Sequence, residues 1–410
     1  MAAASLHLPP SVARPRTAPG VNPEFDLLRA CCVHGPQGTS DERIARAIEC
    51  GVRWDLLLRM AEHHGVLPLV VRRLAPFCAA IPKEVWATFT RAQQVHSRRS
   101  LWLTSELARI AGKFKQTGVG FLTYKGPSLA GLLYGDVTMR QYGDLDFLVY
   151  CDDVARATAA VRELGYCSQL SLTEGQEKAF LSIGYERVFD SAFGRNLLEI
   201  KWQVLPPFYA IDFDVEKMFL RSDFVSIEGA TVPTLGGEDL LLLLCVHAAK
   251  HGWEKLSWLC DIGALSARGL NWETIASQAR RLGVQRILAV NFVLASRLLG
   301  TSIPATLAAY IQNDRRVISL SDGIAQEIEG GRSCDVTSKA YFRRFAGLRE
   351  RRMDRGRFWW RLVTTPGVSE WNTVGLRNPH SRLYTAIRFC RLARKAVGAQ
   401  SKGIFSGSLR

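Results

Sequence analysis

The chain is 410 residues long, 47% hydrophobic and 22% charged, which excludes wholesale disorder and supplies apolar material for two or three packed domains. Its longest unbroken apolar run, residues 240–246, falls far short of the roughly 18 to 20 residues that a bilayer span requires, so no transmembrane helix is expected. The formal charge of +15 is concentrated at one end, where residues 341–410 hold 16 Lys or Arg against Glu350, Asp354 and Glu370.

Residues 1–22 contain Arg14, Arg16 and several prolines but no apolar stretch of signal-peptide type, and are expected to form a disordered leader. Residues 23–115 carry helical spacing in two places, Trp54, Leu57, Leu58 and Ala61, then Leu103, Leu107, Ile110 and Phe114, so an N-terminal helical region is expected. At Gly118 the period changes. Strands are expected over 120–124, 146–150, 182–189 and 197–204, with helices over 128–134 and 152–164, the second closed by Gly165. A hairpin around Glu228-Gly229 completes a core spanning 116–235. The helical period resumes over 236–400, with Asn271 as an N-cap, Gly283 as a terminator, and breaks at Pro304, Gly330-Gly331, Pro366 and Pro379; residues 401–410 form a tail. The fold class is therefore α+β, a small mixed sheet with flanking helices, set between an N-terminal helical region and a C-terminal helical domain with a basic end. Ten scattered cysteines without a C-x-x-C pair point to a reducing compartment, and the cytoplasm is the expected location.

The chemistry is expected on the sheet. In Gly143-Asp144-Leu145-Asp146, two carboxylates two residues apart share one face of a strand start, and their repulsion is relieved most simply by a divalent cation. Oxygen donors favour Mg2+ or Mn2+, which proteins commonly hold with one or two carboxylates and a substrate's phosphates. Upstream, Lys125-Gly126-Pro127-Ser128 turns from a strand into a helix, where backbone amides and the Lys125 ammonium suit phosphate. Downstream, Glu199 offers a third acid on a strand expected beside the first, so that three carboxylates can hold two metals.

These residues carry a family likeness. The run from Phe121 to Tyr166, with Lys125-Gly126, Tyr134, Arg140 and Asp144-Leu145-Asp146, resembles the uncharacterised nucleotidyltransferase family of the polymerase-beta-like superfamily. Trp54-Asp55-Leu56-Leu57 with His63, His64 and Gly65 upstream, and His247 to Trp253 and Trp258 to Asp261 downstream, extend the likeness over about residues 50–395. The resemblance implies that Asp144, Asp146 and Glu199 are catalytic and bind metal, and that Gly126 and Ser128 face a triphosphate. Two positions depart from the pattern: Pro127 interrupts the usual Gly-Ser turn, and Lys201 stands where the family commonly has His.

Several side chains admit two readings. His247 and His251, with Lys250, either meet phosphate or make structural hydrogen bonds. Arg140 either grips a triphosphate or forms a salt bridge. Trp202, Trp253 and Trp258 either stack on a base or pack. Asp261 either orients a histidine or takes the acceptor's proton. The expected activity is transfer of a nucleoside monophosphate from a triphosphate, with ATP as the expected donor, to an unknown acceptor. The alternatives are a non-catalytic nucleotide-binding or scaffold protein, and a nucleic-acid-directed transferase using the basic end, which ranks lower because Phe358-Trp359-Trp360 are contiguous. Peripheral membrane contact through that cluster and its arginines is a further open partner reading.

Overall fold

The computed structural model describes residues 22–33 and 37–365, together with Arg388. All of the expected leader over 1–22 except Asn22, which caps α1, lies outside the described residues, as do the breaks at Pro366 and Pro379 and the tail. The N-terminal region folds as α1 (Pro23–Cys32), α2 (Gln37–Glu49), α3 (Trp54–His63), α4 (Leu67–Leu74) and the long α5 (Lys83–Gln116).

The core follows as β1 (Phe121–Thr123), α6 (Gly126–Tyr134), β2 (Leu145–Val149), α7 (Val154–Glu163), β3 (Cys167–Ser168), α8 (Glu174–Ile183), β4 (Glu186–Ser191), β5 (Gly194–Lys201), α9 (Val215–Leu220), β6 (Asp223–Ile227) and β7 (Ala230–Thr234). The strands form one seven-stranded mixed sheet in the order β3-β4-β5-β2-β1-β7-β6. β1 and β2 are antiparallel, β2 and β5 parallel, and β4 runs antiparallel to β5. The hairpin turn at Glu228 and Gly229 has φ of 46° and 80°, the paired left-handed conformation that a two-residue hairpin requires.

The third expected strand begins later than the sequence reading placed it. Ser182 and Ile183 belong to the end of α8, because Thr173 and Gln176 form a reciprocal capping box that starts a helix there. The chain then turns at Gly184, where a Cβ would lie 2.7 Å from the Phe180 carbonyl oxygen. Strand β3, two residues long, was not expected either.

Period-two alternation divides the sheet between two cores. Leu145, Phe147, Val149, Leu198 and Ile200 pack with Leu103, Leu107, Ile110 and Phe114 of α5 and with α7. Leu122, Tyr124 and Leu148 belong to a larger core shared with the helices on both sides of the sequence. Those following the sheet are α10 (Gly237–Lys250), α11 (Leu256–Ser266), α12 (Trp272–Leu282), α13 (Gln285–Leu299), α14 (Ala305–Asn313), α15 (Arg315–Glu329), α16 (Lys339–Leu348) and α17 (Arg352–Thr364). Asn271 caps α12 through the Thr274 amide, and Gly283 ends it with φ of 65°. In α17, Phe358 is buried while Trp359 and Trp360 are exposed. Among the described residues no helix is long and apolar enough to cross a membrane.

One buried amide fixes the helix that faces the sheet. Asn291 of α13 accepts from Trp253 Nε1 at 2.8 Å and donates to the carbonyl oxygens of Cys245 and Ile287 at 3.1 and 2.8 Å. Asn291→Ala leaves the Trp253 indole N–H unpaired in the core and removes a second donor from two helix carbonyls, and is expected to cost about 1–3 kcal/mol by chemical denaturation. A loss below about 0.5 kcal/mol would show that the amide is not what holds the end of α10.

Candidate active site

Parallel pairing sets Asp146 of β2 directly beside Glu199 of β5. Two-residue alternation puts Asp144 on the same face as Asp146, and Lys201 on the same face as Glu199. Glu186 of β4 stands opposite Lys201 in the antiparallel register. The sheet therefore gathers four carboxylates and one ammonium on the face turned toward the C-terminal helices.

Lys201 occupies the centre of this group. Its Nζ lies 3.1 Å from Asp146 Oδ1, 3.0 Å from Glu186 Oε2 and 2.6 Å from Glu199 Oε2. Lys125 Nζ approaches Asp146 Oδ1 at 3.8 Å. Burial would push the Asp146 carboxyl up, but the Lys125 and Lys201 ammonium groups outweigh it and hold the group well below the usual carboxylate range. Glu199 behaves differently. Burial dominates there, and the group is pushed up to about 7 despite Lys201. Asp144 is also raised, by burial and by the charge of Asp146. Lys201 is held protonated, since its acidic neighbours and Tyr124 outweigh the cost of burial.

The α6 N-terminus lies next to Asp144. Gly126 has φ of 55°, and a Cβ on it would come within 3.3 Å of the Asp144 carbonyl oxygen, so the turn and the acidic strand are packed backbone to backbone. Lys125 supplies no side-chain cap, and Pro127 has no amide hydrogen, which leaves the Gly126 and Ser128 amides to receive an anion. The Ser128 hydroxyl is committed elsewhere: it donates to Thr123 Oγ1 at 2.7 Å and is buried. Gly126→Ala is expected to cost about 1–2 kcal/mol through left-handed strain and to weaken Mg–ATP binding measured by calorimetry; a variant with unchanged stability and binding would contradict this placement of the turn.

Across the sheet face, α10 presents His247, Lys250 and His251. The two imidazoles lie 4.6 Å apart by ring centroid, and each is 5.4 Å from the Trp258 ring. Burial, then the positive charges of Lys201 and Lys125, lower Lys250 to about 8. Burial, then Lys250 and Lys125, lower His251 to about 3, and His247 is lowered well below its ordinary range. Both imidazoles are therefore neutral near pH 7. Lys250 has no carboxylate partner among the described residues; burial is the first cause of its lowered affinity for a proton, and the repulsion of Lys201 and Lys125 adds to it against the opposing pull of Glu186 and Glu199.

Two further residues pair with each other, Arg140 by the second of its two readings. Arg140 is buried, and its Nε donates to Asp261 Oδ2 at 2.9 Å. Asp261 also accepts from Tyr134 Oη at 3.0 Å, so it joins α6 and the 140–143 loop to α11 and neither orients a histidine nor stands free as a base. Of the three tryptophans, Trp202 packs on Phe180 and Trp253 bonds Asn291, while Trp258 borders the site. Sequence reading missed Glu186 and Tyr124, whose buried hydroxyl has no hydrogen-bond partner. The position of Tyr124 at the end of an expected strand, immediately before Lys125-Gly126, was the available sign for the tyrosine.

The model of a family described as uncharacterised nucleotidyltransferase matches residues 51–300. The chain belongs to this nucleotidyltransferase family. No curated protein matches it. The match covers α3 to α5, the sheet and α10 to α13, and thus every residue of the nucleotidyltransferase's candidate site.

A divalent cation can be tested against the donors present. All are carboxylate oxygens, and both Asp146 oxygens are buried, with Lys201 Nζ 3.1 Å and Lys125 Nζ 3.8 Å from Oδ1. The aspartate pair therefore fits a hard cation. Glu199 is engaged by Lys201, and among the described residues no three acidic, His or Cys side chains form a ready-made metal cage. Asp144 and Asp146, completed by phosphate oxygens, are the set the site offers.

Proposed function

We propose that the protein transfers a nucleoside monophosphate from a nucleoside triphosphate, with ATP as the expected donor, to a nucleophilic acceptor, releasing pyrophosphate in a Mg2+- or Mn2+-dependent reaction. The observation that carries this reading is the convergence of Lys125, Lys201 and Lys250 on the face that holds Asp144 and Asp146. Asp144 and Asp146 would hold the divalent cation, which when bound neutralises phosphate charge and favours displacement at phosphorus. Lys125 and the Gly126 and Ser128 amides would receive phosphate oxygens. Lys250, relieved of its repulsion by the arriving anion, would take another, and neutral His247 and His251 would supply N–H donors. Glu199, raised to about 7, is suited to accept the acceptor's proton. The nine described cysteines are all free thiols, in keeping with action in the cytoplasm.

A second reading has a specific observation behind it. Because Lys201 neutralises Glu199, a protein that binds nucleotide without turning it over would carry the same cluster. Incubation with α-labelled ATP separates the two. The transferase reading expects pyrophosphate release and label transfer that require Mg2+ or Mn2+; tight ATP binding indifferent to EDTA, with no pyrophosphate formed, favours the binding protein.

A further inference from the structure

A cavity of about 390 Å³ opens beside the aspartate strand, between α3, α5, the 140–143 loop and the start of α11. It meets the candidate site at two points. Gly143, immediately before Asp144, forms part of its wall, and so does Trp258, whose ring touches His247 and His251. None of Lys125, Gly126, Ser128, Lys201 or Lys250 lines it, so the groups suited to the triphosphate stand outside. Its size falls in the range of small-molecule pockets.

The lining has a definite sign. Arg140 is 8% exposed and fixed by one edge: Nε is held by Asp261, while among the described residues neither terminal nitrogen has a protein acceptor, and Arg140 lines the cavity. A guanidinium held in this way presents a rigid pair of donors to a carboxylate or phosphate. Arg99 lies on the same wall, its Nη2 donating to the Gly143 carbonyl oxygen at 3.1 Å, and Lys255 joins it with no carboxylate partner among the described residues. Against these three cations stands one acid, Glu62, whose carboxyl burial pushes up.

We propose that this cavity is the acceptor pocket and that it takes a small anionic molecule, a carboxylate or phosphate monoester bearing the nucleophilic hydroxyl. The assignment rests on the nucleotidyl-transfer reading. Arg140, Arg99 and Lys255 hold the anionic end, and the hydroxyl lies toward Gly143 and the aspartate strand. Its oxygen forms a bond to the α-phosphorus, the bond from that phosphorus to the α,β-bridging oxygen breaks, pyrophosphate leaves, and the hydroxyl proton passes to the Glu199 carboxylate. Arg140 then serves the acceptor and not the triphosphate.

The full chain with Mg2+ and α,β-methylene ATP, titrated calorimetrically with glycerate, glycerol 3-phosphate and neutral glycerol, tests this. At least one anion is expected to bind tenfold or more tightly than glycerol, and which one does so identifies the anionic group. Lys255→Glu and Arg99→Ala, both at exposed positions, are each expected to weaken that anion at least fivefold while nucleotide-analogue affinity stays within twofold. Equal binding of all three probes, or variants that lose the analogue and keep the anion, overturns the proposal. Failure of the wild type to bind the analogue would retire the transfer reading instead, and anion affinity remains separately readable.

Discussion

Lys201→Met is expected to destabilise the protein by about 3–5 kcal/mol at pH 7, because removing one partner of a buried ionic cluster leaves its opposites uncompensated. The ammonium touches Asp146, Glu186 and Glu199 within 3.1 Å, and its side chain is 5% exposed, so water cannot replace it without opening the sheet face. The sign of the pH dependence follows. In the wild type, Asp146 is held below its unfolded value and contributes stability that is present above that value and lost as acid protonates it. In the variant, burial acts on Asp146 with only Lys125 left to oppose it and on Glu199 without Lys201, so their folded-state values rise and folding takes up protons. The stability gap should narrow as pH falls from 7 toward 5. Mg2+ should recover part of the loss by binding the freed carboxylates. Urea denaturation at the two pH values, with and without Mg2+, reads all three effects; a loss under about 1 kcal/mol would mean that the ammonium does not hold the cluster together.

Asp146→Asn is expected to reduce nucleotidyl transfer by roughly a thousandfold or more, since it removes the buried charge that Lys125 and Lys201 face at 3.8 and 3.1 Å. The substitution keeps side-chain shape, and Lys201 retains Glu186 and Glu199, so the fold should persist by circular dichroism and thermal melting. Asp322→Asn is the matched control. Its partner is Arg297 at 2.8 Å on the surface, and no change in activity is expected. Pyrophosphate release by Asp146→Asn within tenfold of the wild type would remove Asp146 from the reaction.

Much of the fold was legible because the decisive signals are local. The Asp144-Leu145-Asp146 alternation marked a strand start, Glu228-Gly229 marked a two-residue hairpin, and Asn271 with Gly283 bracketed α12, each through backbone geometry that neighbours in sequence determine. The boundary of β4 failed for a local reason too: Thr173 and Gln176 cap a helix whose last residues alternate like a strand.

The site was legible in part. Asp146 and Glu199 are brought side by side by the parallel pairing of β2 with β5, as a shared sheet implied. Lys201 was read as a departure from a family pattern, although period two from Glu199 already placed it on the acidic face. Its other neighbour, Glu186, depends on the β4–β5 register, which no single segment encodes. The Arg140–Asp261 pair spans 121 residues, and the cavity is assembled from α3, α5 and α11, so neither has a local signature.

In the proposed reaction the aspartate pair and the lysine-rich face together bind a cation and a polyphosphate as one unit. Mn2+ titration followed by electron paramagnetic resonance, with and without α,β-methylene ATP, measures that coupling. Weak Mn2+ binding alone is expected, with at least tenfold tighter binding in the presence of the nucleotide analogue and loss of that enhancement in Asp144→Asn and Asp146→Asn. Analogue binding of equal strength in Mn2+ and in EDTA, unaffected by either substitution, would contradict it.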